Sequence, residues 1–136
     1  MSKTIRIGEL SRRSGRSIHA IRWYETQGLM PGVARDSAGR RIYEADHAVW
    51  LELLDRLRLT GMTIAEMRSY ARVMKEGRPA RPRLREMLVA HAARSREKID
   101  RQQEALRFIE RKIDFYDEWI ASGMRPPLPK LGKSRL

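Results

Sequence analysis

The chain has 136 residues, with 29 Lys/Arg against 17 Asp/Glu and a formal net charge of +12, which points to a polyanionic partner. It has no cysteine, which excludes disulfides, thiolate metal sites and cysteine redox switches. No apolar run approaches the roughly 20 residues that span a bilayer, and the N-terminus shows no secretory apolar region, so a cytoplasmic protein with no membrane contact is expected.

The charge is uneven. Residues 1–43 hold nine Lys/Arg and three Asp/Glu, half of the net charge of the whole chain. Within them, a short helix is expected over Gly8 to Ser14, with Ile7 and Leu10 inward and Gly15 as its stop. A second helix starts at Ser17, a good N-cap, and ends at Gly28, with Ile18 and Ile21 among its apolar positions. Gly15, Arg16 and Ser17 form the short turn of a helix-turn-helix. Residues 29–43 contain Pro31, Gly32 and Gly39 before Arg41-Ile42-Tyr43, and read as a β-hairpin wing with its tip near Asp36 to Gly39.

Residues 44–80 are electrically neutral. A third helix is expected from Asp46 to Leu59, with Val49, Trp50, Leu53, Leu54 and Leu57 at helical spacing and Gly61 ending it. The fourth opens on Thr63-Ile64-Ala65-Glu66, a capping box, and carries Met67, Tyr70, Ala71 and Met74 as its stripe. Gly77, Pro79 and Pro82 then break the chain.

The fifth helix is long, Arg83 to Ala121, close to 60 Å at about 1.5 Å per residue. A seam runs through Leu88, Ala92, Ser95, Ile99, Gln102, Leu106, Ile109, Ile113, Tyr116 and Ile120 in alternating steps of four and three. Such a helix cannot bury its seam alone, so a homodimer is expected; folding back onto its own third and fourth helices is the alternative. Leu84 and Met87 lie off the seam and are expected to pack back on those helices. Three segments follow: a DNA-binding domain over 1–78, a linker and dimerisation helix over 79–121, and a basic, disordered tail over 122–136.

Ile7-Gly8-Glu9-Leu10, Ile21-Arg22-Trp23-Tyr24-Glu25, Gly28-Leu29, Gly39-Arg40-Arg41-Ile42-Tyr43 and Gly61-Met62-Thr63-Ile64 occur in order and correctly spaced. Together they resemble the signature of MerR-type transcription regulators, over about residues 4–76. The segment Leu106 to Asp117 is similar to the dimer helix of small members without a large effector domain. The resemblance implies a mainly α fold: a winged helix-turn-helix DNA-binding domain, with an antiparallel coiled coil joining two subunits. It also implies a homodimer that bends and untwists a pseudo-palindromic promoter operator so that RNA polymerase can engage it. His19 and Ala20 stand where Arg and Thr are common, and Arg40 where Tyr is frequent, which bears on the operator that is read.

The expected contacts to double-stranded DNA are Ser17, His19, Arg22 and Tyr24 on the second helix, with Arg40, Arg41 and Tyr43 on the wing. Arg22, Tyr24, Arg41 and Tyr43 match the family's contact positions. Tyr24 and Tyr43 also suit a core. Trp50, Tyr70, Met74, Met87, Phe115 and Trp119 could line a pocket for a small apolar or cationic effector, but ordinary core packing is the favoured reading of the same side chains. His19, His47 and His91 are far apart and form no metal constellation, and no cofactor is expected. No nucleophile elbow, phosphate-binding glycine loop or HExxH is present, so the chain does not read as an enzyme. The alternative is an architectural or excisionase-like DNA-bending protein, which the long helix disfavours.

Overall fold

The computed structural model describes residues 3–129. They form two compact units, one ending at His91 and the other starting at Ala92. The elements are β1 (Thr4–Ile5), α1 (Ile7–Ser14), α2 (Ile18–Thr26), β2 (Ala34–Arg35), β3 (Arg41–Glu44), α3 (His47–Leu59), α4 (Ile64–Met74), a 3-10 turn (Arg78–Ala80) and α5 (Arg81–Ser122).

Local chemistry explains the helix ends. In α1, Glu9 sits in the first turn and Arg12 and Arg13 in the last, so each charge opposes the helix dipole. The Ser17 hydroxyl accepts the Ala20 N–H at the start of α2, and Thr63 accepts the Glu66 N–H at the start of α4. Helices α2 and α3 end by the same device. Gly28 and Gly61 take φ of 75° and 95°, a left-handed conformation that costs other residues energy. The following N–H groups, of Leu29 and Met62, then return to the carbonyls of Tyr24 and Leu57 at 3.0 and 2.9 Å.

The wing is one edge of a three-stranded antiparallel sheet of order β1-β3-β2. Thr4 and Ile5 pair with Glu44 and Tyr43, so the N-terminal segment adds the third strand. The residue pattern alone predicts only the hairpin.

The core of the first unit centres on Leu10, Ile21, Leu29, Tyr43, Leu51, Leu54 and Met67, all fully buried. Helix α3 runs through it, and the start of α5 completes it: Leu84, Met87 and Leu88 pack against the same cluster. Two expected inward positions are corrected. Val49 is 69% exposed, and Met74, at 41%, lies at the end of the α4 stripe. Leu51 takes the buried place on α3, because a helical turn of 3.6 residues carries Val49 past the edge of the stripe. Leu51→Ala leaves a cavity at this centre, and a loss of about 2–5 kcal/mol of stability is expected in chemical denaturation.

The second unit is the rest of α5 with the segment after it. Ile99, Leu106, Ile109, Ile113, Tyr116 and Ile120, all on the expected seam, are exposed, at 50% or more. Gly123 follows the helix, and the Ser122 hydroxyl accepts the Met124 N–H at 3.1 Å. The expected disorder of the tail falls partly on residues 130–136, which lie outside the described residues.

Candidate nucleic-acid interface

Helix α2 is amphipathic in a way that fixes which face is free. Ile21 and Tyr24 are buried. Ile18, His19, Arg22 and Thr26 are exposed and, at 3.6 residues per turn, occupy one contiguous arc.

The helix is held from both ends by α3 and α4. At its N-terminal side, the Arg16 guanidinium pairs with Asp55 of α3. The same carboxylate accepts the Tyr24 hydroxyl at 3.2 Å. At the other end, the Trp50 indole N–H donates to the Leu29 carbonyl at 2.7 Å, and the Arg68 side chain donates to the Gln27 carbonyl at 2.8 Å. A helix pinned at three places presents its outer arc as a rigid edge.

The wing is tied to this helix through Glu25. Its carboxylate takes the Arg41 guanidinium at 2.8 Å and the Tyr43 hydroxyl at 3.2 Å. Burial, together with the Glu25 carboxylate, pushes the Tyr43 phenol up to about 12, so it stays a neutral donor. His47 ties the wing to α3. Its Nδ1 accepts the Glu44 N–H at 2.9 Å, and its Nε2 reaches the Pro31 carbonyl at 2.7 Å. A backbone N–H can only donate and a carbonyl only accept, so the ring is the neutral tautomer with its proton on Nε2.

Asp36 organises the wing tip. It accepts the N–H groups of Arg40 and Ala38 at 2.9 and 3.0 Å, and the Arg6 guanidinium at 2.6 Å. The Arg40 N–H and then the Arg6 side chain hold its carboxyl down at about 2, against an ordinary value of 3.8. A carboxyl lowered by folding stabilises the folded state above its unfolded value, and that contribution is lost as the pH falls through about 2. Carbon-detected titration of Asp36 should give a midpoint near 2, and Arg6→Ala should move it upward while leaving the Arg40 and Ala38 contacts in place.

The seven expected contact residues divide into two groups. Ser17, His19, Arg22, Arg40 and Arg41 are exposed on the second helix and the wing. Tyr24 and Tyr43 take the core placement that their aromatic rings also suited: they are 4% and 0% exposed, and both hydroxyls are held by carboxylates inside the unit. Their aromatic bodies are worth more in the core than at the surface, and Asp55 and Glu25 satisfy the polar ends. Among the exposed arginines, Arg40 pairs with Asp36 and Arg41 with Glu25. The Arg22 guanidinium makes no ion pair or hydrogen bond among the described residues.

Of the residues expected around an effector, Trp50 and Tyr70 are core. Their rings stack at 5.8 Å between centroids, and the indole N–H is spent on Leu29. Phe115 and Trp119 belong to an aromatic cluster of the second unit with Tyr116, where the Lys112 ammonium lies 4.4 Å from the Phe115 ring centre. Among the described residues no group of His and carboxylates could hold a metal ion. No helix among them is long and apolar enough to cross a membrane.

Glu25, Asp36 and Asp55 anchor this surface, and none of them stands out in the sequence as an anchor. Asp36 sits at a turn tip, where an Asx contact could have been anticipated. The other two carried no local signal, because their partners lie 16 and more residues away.

A helix-turn-helix with a basic hairpin wing beside it defines a winged-helix DNA-binding protein of the transcription-regulator class. The comparisons name the family. The family model described as MerR HTH family regulatory protein matches residues 5–73, and the chain belongs to that family. An uncharacterized HTH-type transcriptional regulator of Haemophilus influenzae is 32% identical over 68 residues, 50% of each chain. The HTH-type transcriptional regulator AdhR of Bacillus subtilis is 30% identical over 71 residues, 52% of this chain and 51% of its own. The chain spans about half the length of these curated relatives. Among solved structures, a MerR family transcriptional regulator from Listeria monocytogenes is 31% identical with a TM-score of 0.78, over 88% of this chain and 90% of that one. HiNmlR, a MerR family regulator lacking the sensor domain and bound to promoter DNA, is 26% identical with a TM-score of 0.73, over 89% of this chain and 96% of that one.

Proposed function

We propose that this protein is a sequence-specific, cytoplasmic regulator that works as a homodimer on a two-fold pseudo-palindromic promoter operator. The observation that carries the DNA-binding part is the exposed arc of α2, where Arg22 is uncommitted beside wing arginines held in fixed positions by carboxylates. Arg22 and His19 enter the major groove. Arg40 and Arg41 hold phosphates, with the Ser17 hydroxyl at the backbone near the start of the helix.

The exposed seam on α5 supports the dimer. Six large apolar side chains at heptad spacing on a single helix need a partner, and a second copy of the same helix supplies one. Two recognition helices related by a two-fold axis then read two half-sites. The same seam disfavours an architectural DNA-bending monomer.

The dimer distorts its operator, and RNA polymerase at the same promoter is the machine that responds. A solved neighbour lacking the sensor domain is bound to promoter DNA, which supports the promoter as the target. Gel mobility with the operator permuted along a fixed fragment tests the distortion. Position-dependent mobility, with the slowest migration when the site is central, is expected. Position-independent mobility would reduce the protein to one that binds without bending.

A further inference from the structure

Ile18 is the first residue of α2 and, with Ile21, one of its expected apolar positions. In the structure it is 38% exposed, while Ile21 is fully buried. At 100° per residue, Ile18 lies about 40° around the helix from Arg22, on the same outer arc as Arg22, Thr26 and His19. It is the one large apolar side chain on that arc. It also sits at the N-terminal end of the recognition helix, the end that approaches base edges.

We propose that Ile18 reads the C5-methyl group of a thymine in the operator half-site, next to the base that Arg22 reads. This rests on the DNA-binding function proposed above. Thymine is the only base that offers an apolar group in the major groove. An isoleucine cannot pair with the amino group of cytosine or adenine. Pressed against either, it strips water from a donor and gives nothing back. Against the thymine methyl it buries apolar surface on both sides. Ile18 thus selects one base by fit and rejects others by desolvation, while Arg22 selects by hydrogen bonding.

Deoxyuridine differs from thymidine by this methyl group alone, so it isolates the contact. The test uses the full-length protein and the operator it selects, replacing dT by dU at one position of one half-site at a time and measuring Kd at fixed salt. One position is expected at which dU weakens wild-type binding about fourfold, which is the ~0.8 kcal/mol of one buried methyl group at 1.4 kcal/mol per tenfold. Ile18→Ala should bind dT and dU equally at that position, and Ile18→Val should keep most of the discrimination, which separates a lost contact from a damaged helix. Indifference of the wild type to dU at every position overturns the proposal, as does equal sensitivity in wild type and Ile18→Ala. A selected operator with no thymine in the half-site overturns it too. In each of those cases binding itself persists. A protein that selects no operator removes the proposed function, and this inference with it.

Discussion

Arg22→Ala weakens operator binding by about 1–3 kcal/mol and relaxes sequence preference at one position of each half-site, with thermal stability unchanged. The two halves of this result have separate causes. Arg22 is exposed and makes no ion pair or hydrogen bond among the described residues, so its loss leaves no partner unsatisfied in the free protein. Its position on the outer arc of a helix pinned by Asp55, Trp50 and Arg68 gives its guanidinium a defined approach to guanine O6 and N7. Arg41→Ala should behave differently. It removes the cation from Glu25, which also accepts the Tyr43 hydroxyl, so it disturbs the joint between wing and helix as well as the proposed phosphate contact. Competition binding against a panel of singly substituted operators separates the two outcomes for Arg22. A uniform loss across sequences with a shallower salt slope makes it a phosphate contact; no loss at all removes it from the interface.

Ile109→Asp abolishes the dimer and, with it, specific operator binding. Ile109 is 53% exposed at the middle of the seam, with Leu106 and Ile113 on either side at 52% each. Burying such a side chain contributes about 1.5–3 kcal/mol, and two-fold symmetry makes each substitution count twice. The aspartate adds the cost of placing a carboxylate in an apolar seam without a partner. The fold of the first unit is untouched, because its core lies among other residues. Sedimentation should therefore give the wild type about twice the chain mass of 15.9 kDa and the variant the chain mass itself. Helical content of the first unit and the stacked Trp50–Tyr70 pair should be retained. A variant that still sediments as a dimer would place the interface elsewhere.

What could be read from the sequence was mostly what is local. Ser17 and Thr63 as caps, and Gly28 and Gly61 as stops, act within a few residues of themselves, and each does in the structure what its chemistry predicts. Periodicity found the helices but not the edges of their buried faces. Ile18 and Val49 sit one step outside their stripes, and Leu51 was passed over although it is fully buried. Two residues of β1 carry too little pattern to announce a strand; their partner strand lies about 40 residues on, and that pairing alone defines them. The site divides along the same line. The exposure of Arg22 and His19 is legible because an exposed arc on a short helix follows from its buried face. The placement of Tyr24 and Tyr43 is open to both readings in the sequence, because the carboxylates that hold their hydroxyls, Asp55 and Glu25, are brought in by tertiary packing.

Selection of operators from a random duplex library with the purified full-length protein, followed by footprinting of the enriched site, tests the central claim most directly. A two-fold symmetric site protected on one face of the duplex, with hypersensitive bases at its centre, is predicted. Weak, salt-sensitive binding with no enriched palindrome would contradict it, and would leave a basic protein that coats DNA without reading it.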